Sequence, residues 1–166
     1  MIYVACLAAY NAGTLHGQWI HAAQDADSLH KEVQELLKQS PESIAQEWAI
    51  HDYEGFGEIR IDEYEPLSEV SRLALLVDEY GEPFAAYAAH VGNDSATEES
   101  FLDAYRGRWD SELAYAQDLF DELHAHELPE HLRFYIDYEA FSRDIFLDGH
   151  SSVRSSDFGV YVFIDA

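Results

Sequence analysis

An α+β fold divided among small units is the class this sequence predicts, and three observations predict it. Apolar runs of strand length stand near both ends of the chain, Ile2 to Ala9 and Gly159 to Ile164. Apolar stripes of helical period fill most of what lies between. Gly, Pro, Asn and Asp cluster where those runs stop, and no fixed-period repeat links them. The pattern reads α+β over residues 1–61, all-helical over 62–100 and α+β again over 101–166. With 166 residues, 48% of them hydrophobic, the chain can build real cores, since a length of this order buries roughly 68–70% of the unfolded surface.

Taken in order, Ile2–Ala9 predicts a strand, Asn11-Ala12-Gly13 a turn and Leu15–Ala22 a second strand, together an antiparallel hairpin. Asp25 or Asp27 caps a helix whose stripe is Leu29, Val33, Leu36 and Leu37, with Glu32 and Glu35 outside and Pro41 beyond its end. Glu47–Tyr53 alternates as a strand. Tyr53-Glu54-Gly55-Phe56-Gly57 is a loop, and Ile59-Arg60-Ile61 a small strand or an extended link. Pro66 leads a helix from Leu67 to Tyr80, stopped by Gly81. Glu82-Pro83 starts another through Tyr87 to Val91, and Asp94 or Ser95 opens a further turn or two. Phe101–Arg108 is expected as a short strand, and Asp110 or Ser111 as the cap of a helix through Leu113, Ala116, Leu119, Phe120 and Leu123. Pro129 begins a helix whose buried stripe is expected to be Leu132, Tyr135, Ile136 and Phe141, with Glu130, Asp137, Glu139 and Asp144 outside and Arg133 and Arg143 holding neighbouring acids. Phe146–Leu147 and Gly159–Ile164 close the chain as strands.

Charge is the most informative feature. The chain has 33 Asp and Glu against 9 Lys and Arg, a formal net charge of −24. Met1 through Gln24 hold no acid, and from Asp25 onward acids recur to Asp165, threaded between apolar residues instead of gathered in a tail. They therefore belong on the outer faces of ordered elements. Such a surface is repelled by nucleic acid and by anionic membrane, and suits a basic groove. No basic leader and no apolar stretch near the ~20 residues of a membrane span is visible, so a soluble cytoplasmic protein is expected. Cys6, the one cysteine, reads as a small buried hydrophobe more than as a reactive thiol, and points to a reducing compartment.

Catalytic and ligand motifs are weak. His124-Ala125-His126 puts two imidazoles two residues apart near a helix end, where they diverge; exposed histidines near a helix C-terminus are the simpler reading. His51-Asp52 and Asp62-Glu63-Tyr64-Glu65 have the composition of an acid–base or divalent-ion cluster, yet such neighbours arise by composition alone in so acidic a chain. Gly55-Phe56-Gly57 is followed by acids that repel phosphate, and neither GxGxxG nor GxxxxGK[ST] occurs. No enzyme activity, metal or cofactor is expected.

Three strings carry a resemblance. Ile2-Tyr3-Val4-Ala5-Cys6-Leu7-Ala8-Ala9-Tyr10-Asn11-Ala12-Gly13-Thr14-Leu15-His16-Gly17-Gln18-Trp19-Ile20 resembles the opening of the ArdA antirestriction proteins. Glu47-Trp48-Ala49-Ile50-His51-Asp52-Tyr53-Glu54 is similar to that family's internal motif, and Leu128-Pro129 through Tyr135-Ile136-Asp137-Tyr138-Glu139-Ala140-Phe141-Ser142-Arg143-Asp144 to its antirestriction region. The resemblance implies an elongated homodimer of three small domains per chain, carried on conjugative plasmids or transposons. It implies a mimic of bent B-form DNA that fills the DNA-binding groove of type I restriction-modification enzymes, blocking restriction and modification. On that reading the carboxylates standing for phosphates are expected among Glu32, Glu35, Asp62, Glu63, Glu65, Glu69, Asp78, Glu79, Glu98, Glu99, Glu112, Asp118, Asp121, Glu122, Asp137 and Glu139. Self-association is expected through Val160, Tyr161, Val162, Phe163 and Ile164, the alternative being that this run is a central core strand. The competing functional reading is an acidic interaction module for another basic or DNA-binding protein.

Overall fold

A computed structural model describes residues 1–124 and 126–165. Its chain divides into two compact units, Met1–Ala85 and Ala86–Ala166. Both mix helices with a three-stranded antiparallel sheet, so the fold is α+β. Among the described residues no helix is long and apolar enough to cross a membrane.

In the first unit, β1 (Ile2–Cys6) lies between β2 (Gly17–Ile20) and β3 (Trp48–Tyr53). The expected antiparallel pairing forms, with Ile2 opposite Ile20 and Ala5 opposite Gly17, but a helix enters the connection and the second strand is Gly17–Ile20, not Leu15–Ala22. The first strand is shorter than its apolar run. Leu7–Asn11 is a short helix, α1, because the Leu7 amide donates to Glu47 O at the end of the ladder and the following Ala8-Ala9 pair has high helical propensity. α2 (Ala26–Lys38) starts where Asp25 accepts from the Ser28 amide at 2.9 Å, and it buries Leu29, Val33, Leu36 and Leu37. α3 (Leu67–Tyr80) packs on α2 and buries Leu67, Val70, Leu73 and Ala74. It ends at Gly81, whose φ of 68° suits a residue without Cβ. Ile59 and Ile61 are buried but form no strand; they belong to an extended link in which Glu63 O accepts from the Ile50 amide at 2.9 Å. α4 (Glu82–Val91) contains the division between the units.

The second unit uses a different core. α5 (Glu98–Ala104) begins one turn later than expected. Thr97, not Asp94 or Ser95, is its cap: Thr97 Oγ1 accepts from the Ser100 amide and Ser100 Oγ from the Thr97 amide, each at 3.0 Å. Phe101–Ala104 is consequently helical, and only Tyr105–Trp109 is strand, β4. α6 (Glu112–His124) follows, with Ser111 Oγ accepting from the Ala114 amide at 3.1 Å. The helix expected after Pro129 is broken in two. Glu130–Tyr135 is a 3-10 turn, and α7 (Tyr138–Leu147) restarts at Asp137, which accepts from the Ala140 amide at 2.9 Å. Leu132 and Tyr135 are exposed, and Ile136 and Phe141 only half-buried, so the expected buried stripe is not one face. Phe146–Leu147 remains in α7, and the strand lies further on, at β5 (His150–Arg154).

The last element, β6 (Val160–Ile164), is the centre of the sheet β4-β6-β5. Tyr105 stands opposite Phe163, Arg154 opposite Val160. Both edges of β6 are thus paired within the unit, and Tyr161, Val162 and Phe163 are buried. One face carries an aromatic cluster in which Phe163 meets Tyr87 at 5.2 Å between ring centroids and Phe101 stacks on Tyr105 at 5.1 Å. Trp109, Tyr115, Phe146 and His150 form a second ring cluster, with Trp109 and Tyr115 at 5.4 Å.

Candidate functional site: an acidic surface

Burial decides first which acids are available. None of the 33 carboxylates is buried, and all but the half-buried Glu42, Glu65 and Glu69 are exposed. That follows from chemistry, since an unpaired carboxylate taken out of water costs far more than the fold can return. The distribution is balanced. The first unit holds 16 Asp and Glu against 4 Lys and Arg, and the second 17 against 5, a net −12 each.

Helices set the spacing. Asp118, Asp121 and Glu122 lie on the outside of α6, with Asp118 and Glu122 separated by roughly 6 Å along the axis. Like charges at this spacing disfavour the helix by a few tenths of a kcal/mol per pair. The macrodipole adds to that cost. Asp78 and Glu79 stand in the last turn of α3 and Asp144 in the last turn of α7, and neither turn contains a basic residue. Carboxylates at a helix C-terminus are destabilising, so helix stability is not what these positions serve.

Several acids do have structural partners. Glu35 pairs with Lys38 at 2.5 Å, and Glu69 takes both ends of the Arg72 guanidinium, with Nε at 2.9 Å. Glu112 accepts from Ser152 Oγ at 2.6 Å and Asp121 from Tyr138 Oη at 2.8 Å, which raises the phenol's proton affinity. Asp137 is the cap of α7. Asp25 is held below its ordinary pKa of 3.8 by the hydrogen bonds from Ser28. Arg143 reaches Asp144 at 3.7 Å, both exposed. Glu32, Asp62, Glu63, Asp78, Glu79, Glu98, Glu99, Asp118, Glu122 and Glu139 are all exposed.

Among the described residues no group of three or more His, Cys, Asp or Glu side chains is arranged to hold a metal ion. Ala125 of His124-Ala125-His126 lies outside the described residues; His124 and His126 are exposed, with His126 at 3.7 Å from Glu127. His51 packs its ring edge-on to Tyr10 at 5.1 Å. Cys6 is buried against Ser40 Oγ at 3.4 Å. An open groove of about 840 Å³ in the second unit mixes Asp110, Glu112 and Glu139 with Arg143 and Arg154 over Phe146 and Val160, and the Ser152–Glu112 hydrogen bond lies in its lining.

Sequence reasoning missed the exposed aromatic residues. Phe134 is 90% and Phe158 99% exposed. Phe134 was hidden by the expectation of one continuous helix, whereas Asp137 followed by Glu139 was a legible sign of a helix start.

No curated protein matches the chain significantly. A family model described as Antirestriction protein (ArdA) matches residues 2–159, nearly the whole length, and the chain therefore belongs to the ArdA family of antirestriction proteins, whose targets are restriction enzymes.

Proposed function

We propose that this chain performs antirestriction by mimicking DNA: its carboxylates occupy the positions of phosphates in the DNA-binding groove of a type I restriction-modification enzyme, blocking restriction and modification. The observation that carries the reading is a net charge of −24 spread evenly over the two units, together with acids kept at helix C-termini where they weaken the helix. A stable but indifferent surface would shed such residues first. Duplex DNA carries one charge per ~1.7 Å of axis, so a net charge of −24 equals roughly 40 Å of duplex per chain. Arg and Lys that grip phosphates can pair with carboxylates through the same charge-assisted bonds.

A cytoplasmic homodimer, with each chain in three small domains at 1–61, 62–100 and 101–166, belongs to the same proposal. Self-association through β6 would have to use the half-buried Val160 and Ile164 or the strands beside it, because the residues between are buried and both edges are paired. The second reading, an acidic module for a different basic protein, is favoured only by the charge itself. Displacement of labelled duplex from the purified methyltransferase core of a type I enzyme separates the two. Stoichiometric displacement that weakens with salt is expected, and no displacement at any concentration would leave the second reading.

A further inference from the structure

The turn joining β5 to β6, Ser155-Ser156-Asp157-Phe158-Gly159, has a residue that local chemistry does not select. Phe158 has φ 69°, the one positive value outside glycine among the described residues. Asn, Asp or Gly suits such a position, and a bulky side chain there is a strained exception. Burial offers no compensation, because Phe158 is 99% exposed. Strain retained at an exposed ring is the pattern of a functional position.

The turn is also held in place. Arg108 reaches Asp157 at 2.9 Å and Asp110 at 2.6 Å, and Asp157 accepts a further bond from Ser155 Oγ. The Ser155 amide donates to Gly159 O at 2.9 Å. Gly159 is required there, since a Cβ would stand 2.6 Å from Trp109 O and 2.7 Å from Arg108 Cζ. The ring is therefore presented on a clamped hairpin, and a preorganised aromatic loses little freedom on binding.

We propose that Phe158 is a docking anchor that seats in an apolar recess within the cationic groove of the restriction enzyme. The inference rests on the mimic reading above and adds an apolar contact to its electrostatic surface. Charge points to the occupant: the unit carrying Phe158 has net charge −12, so an anionic membrane is repelled and a cationic surface is drawn in. DNA-handling enzymes have recesses of this kind where a base is taken out of the stack.

The test uses the full chain, the purified methyltransferase core of a type I enzyme and a fluorescent duplex bearing its target sequence. Wild type, Phe158→Gly, Phe158→Asn and Phe158→Trp are titrated at low and high salt, with Tm and sedimentation measured in parallel. The Gly and Asn variants are expected to keep or raise Tm while losing about tenfold or more in displacement, as for a buried aromatic anchor. The loss should persist at high salt, where carboxylate contacts are screened, and Phe158→Trp should retain most of the affinity. Full displacement by the Gly and Asn variants would overturn the anchor and leave the mimic reading standing. A lowered Tm in both would make the ring structural, and conversion of a dimer to a monomer would assign it to a second copy; either overturns the proposal. Failure of wild type to displace the duplex would remove the mimic reading and this inference with it.

Discussion

The two units carry the same net charge on different cores. In the first, aliphatic side chains dominate: α2 and α3 bury Leu29, Val33, Leu36, Leu37, Val70 and Leu73, and the sheet buries Ile2, Val4 and Ile50. The second is held by rings, Tyr87, Phe101, Tyr105 and Phe163 on one face of its sheet and Trp109, Tyr115 and Phe146 in another cluster. It also leaves Phe134, Tyr135, Leu147 and Phe158 more than three-quarters exposed. The difference teaches that the acidic surface does not depend on how the core beneath it is made. Any amphipathic element with an outward face can carry it. What changes is the apolar surplus, which the second unit alone displays on aromatic residues at this level of exposure.

The largest expected effects break the cores. Phe163→Ala, which removes a ring touching Tyr87 and Tyr105, should cost about 3–5 kcal/mol, and Leu29→Ala about 2–5 kcal/mol, read by urea denaturation. Ile136→Ala, placed on the sequence stripe but half-buried in the structure, should cost clearly less than Leu29→Ala. Equal losses at both sites would show that the segment after Pro129 is as well packed as α2.

Binding comes next. If the chain mimics DNA as proposed, raising salt from about 50 to 200 mM should weaken association with the methyltransferase core by about tenfold or more, because screened carboxylates would lose their pull on the groove. If unit charge is what matters, neutralising Asp118, Asp121 and Glu122 together should weaken binding as much as neutralising Asp62, Glu63 and Glu65. A single acid whose loss abolished inhibition would break that equivalence and point to a discrete site.

The caps predict smaller, chemically selective changes. Asp137→Ala should destabilise by ~1 kcal/mol and Asp137→Asn by much less, since Asn still accepts the Ala140 amide. Asp137→Asn with Glu139→Gln is therefore expected to hold Tm near the wild-type value while weakening binding. At Asp25 the folded pKa lies below the ordinary 3.8, so its contribution is full above that pH and disappears as pH falls through the lowered value. The Tm gap between wild type and Asp25→Ala should accordingly close in acid. A gap unchanged down to pH 2 would show that the hydrogen bond to Ser28 does not depend on the carboxylate's charge.

The smallest effect has the opposite sign. Glu79→Gln, at the C-terminal turn of α3, should raise stability by about 0.3–1 kcal/mol because it removes a charge the macrodipole disfavours. A fall in Tm would show that Glu79 has a partner that matters more than the dipole.

Several elements were determined by sequence alone. The stripe Leu29, Val33, Leu36, Leu37 with Asp25 before it specifies α2, and Leu67 to Tyr80 with Gly81 after it specifies α3. In both, local propensity, period and capping agree over three turns or more, and local agreement of that length leaves little for distant contacts to change. The exposure of the acids was equally legible, because burying a bare carboxylate is too costly for any fold to choose. Tertiary structure decided the rest. β1 stops at Cys6 although its apolar run continues to Ala9, and β5, with its polar His150-Ser151-Ser152, becomes a strand through pairing with β6. Val160–Ile164 reads equally well as an exposed edge or a core strand until its two neighbours are placed. Strands take their ends and their position in a sheet from hydrogen bonds to residues far away in the chain, and a five-residue pattern holds no record of those partners.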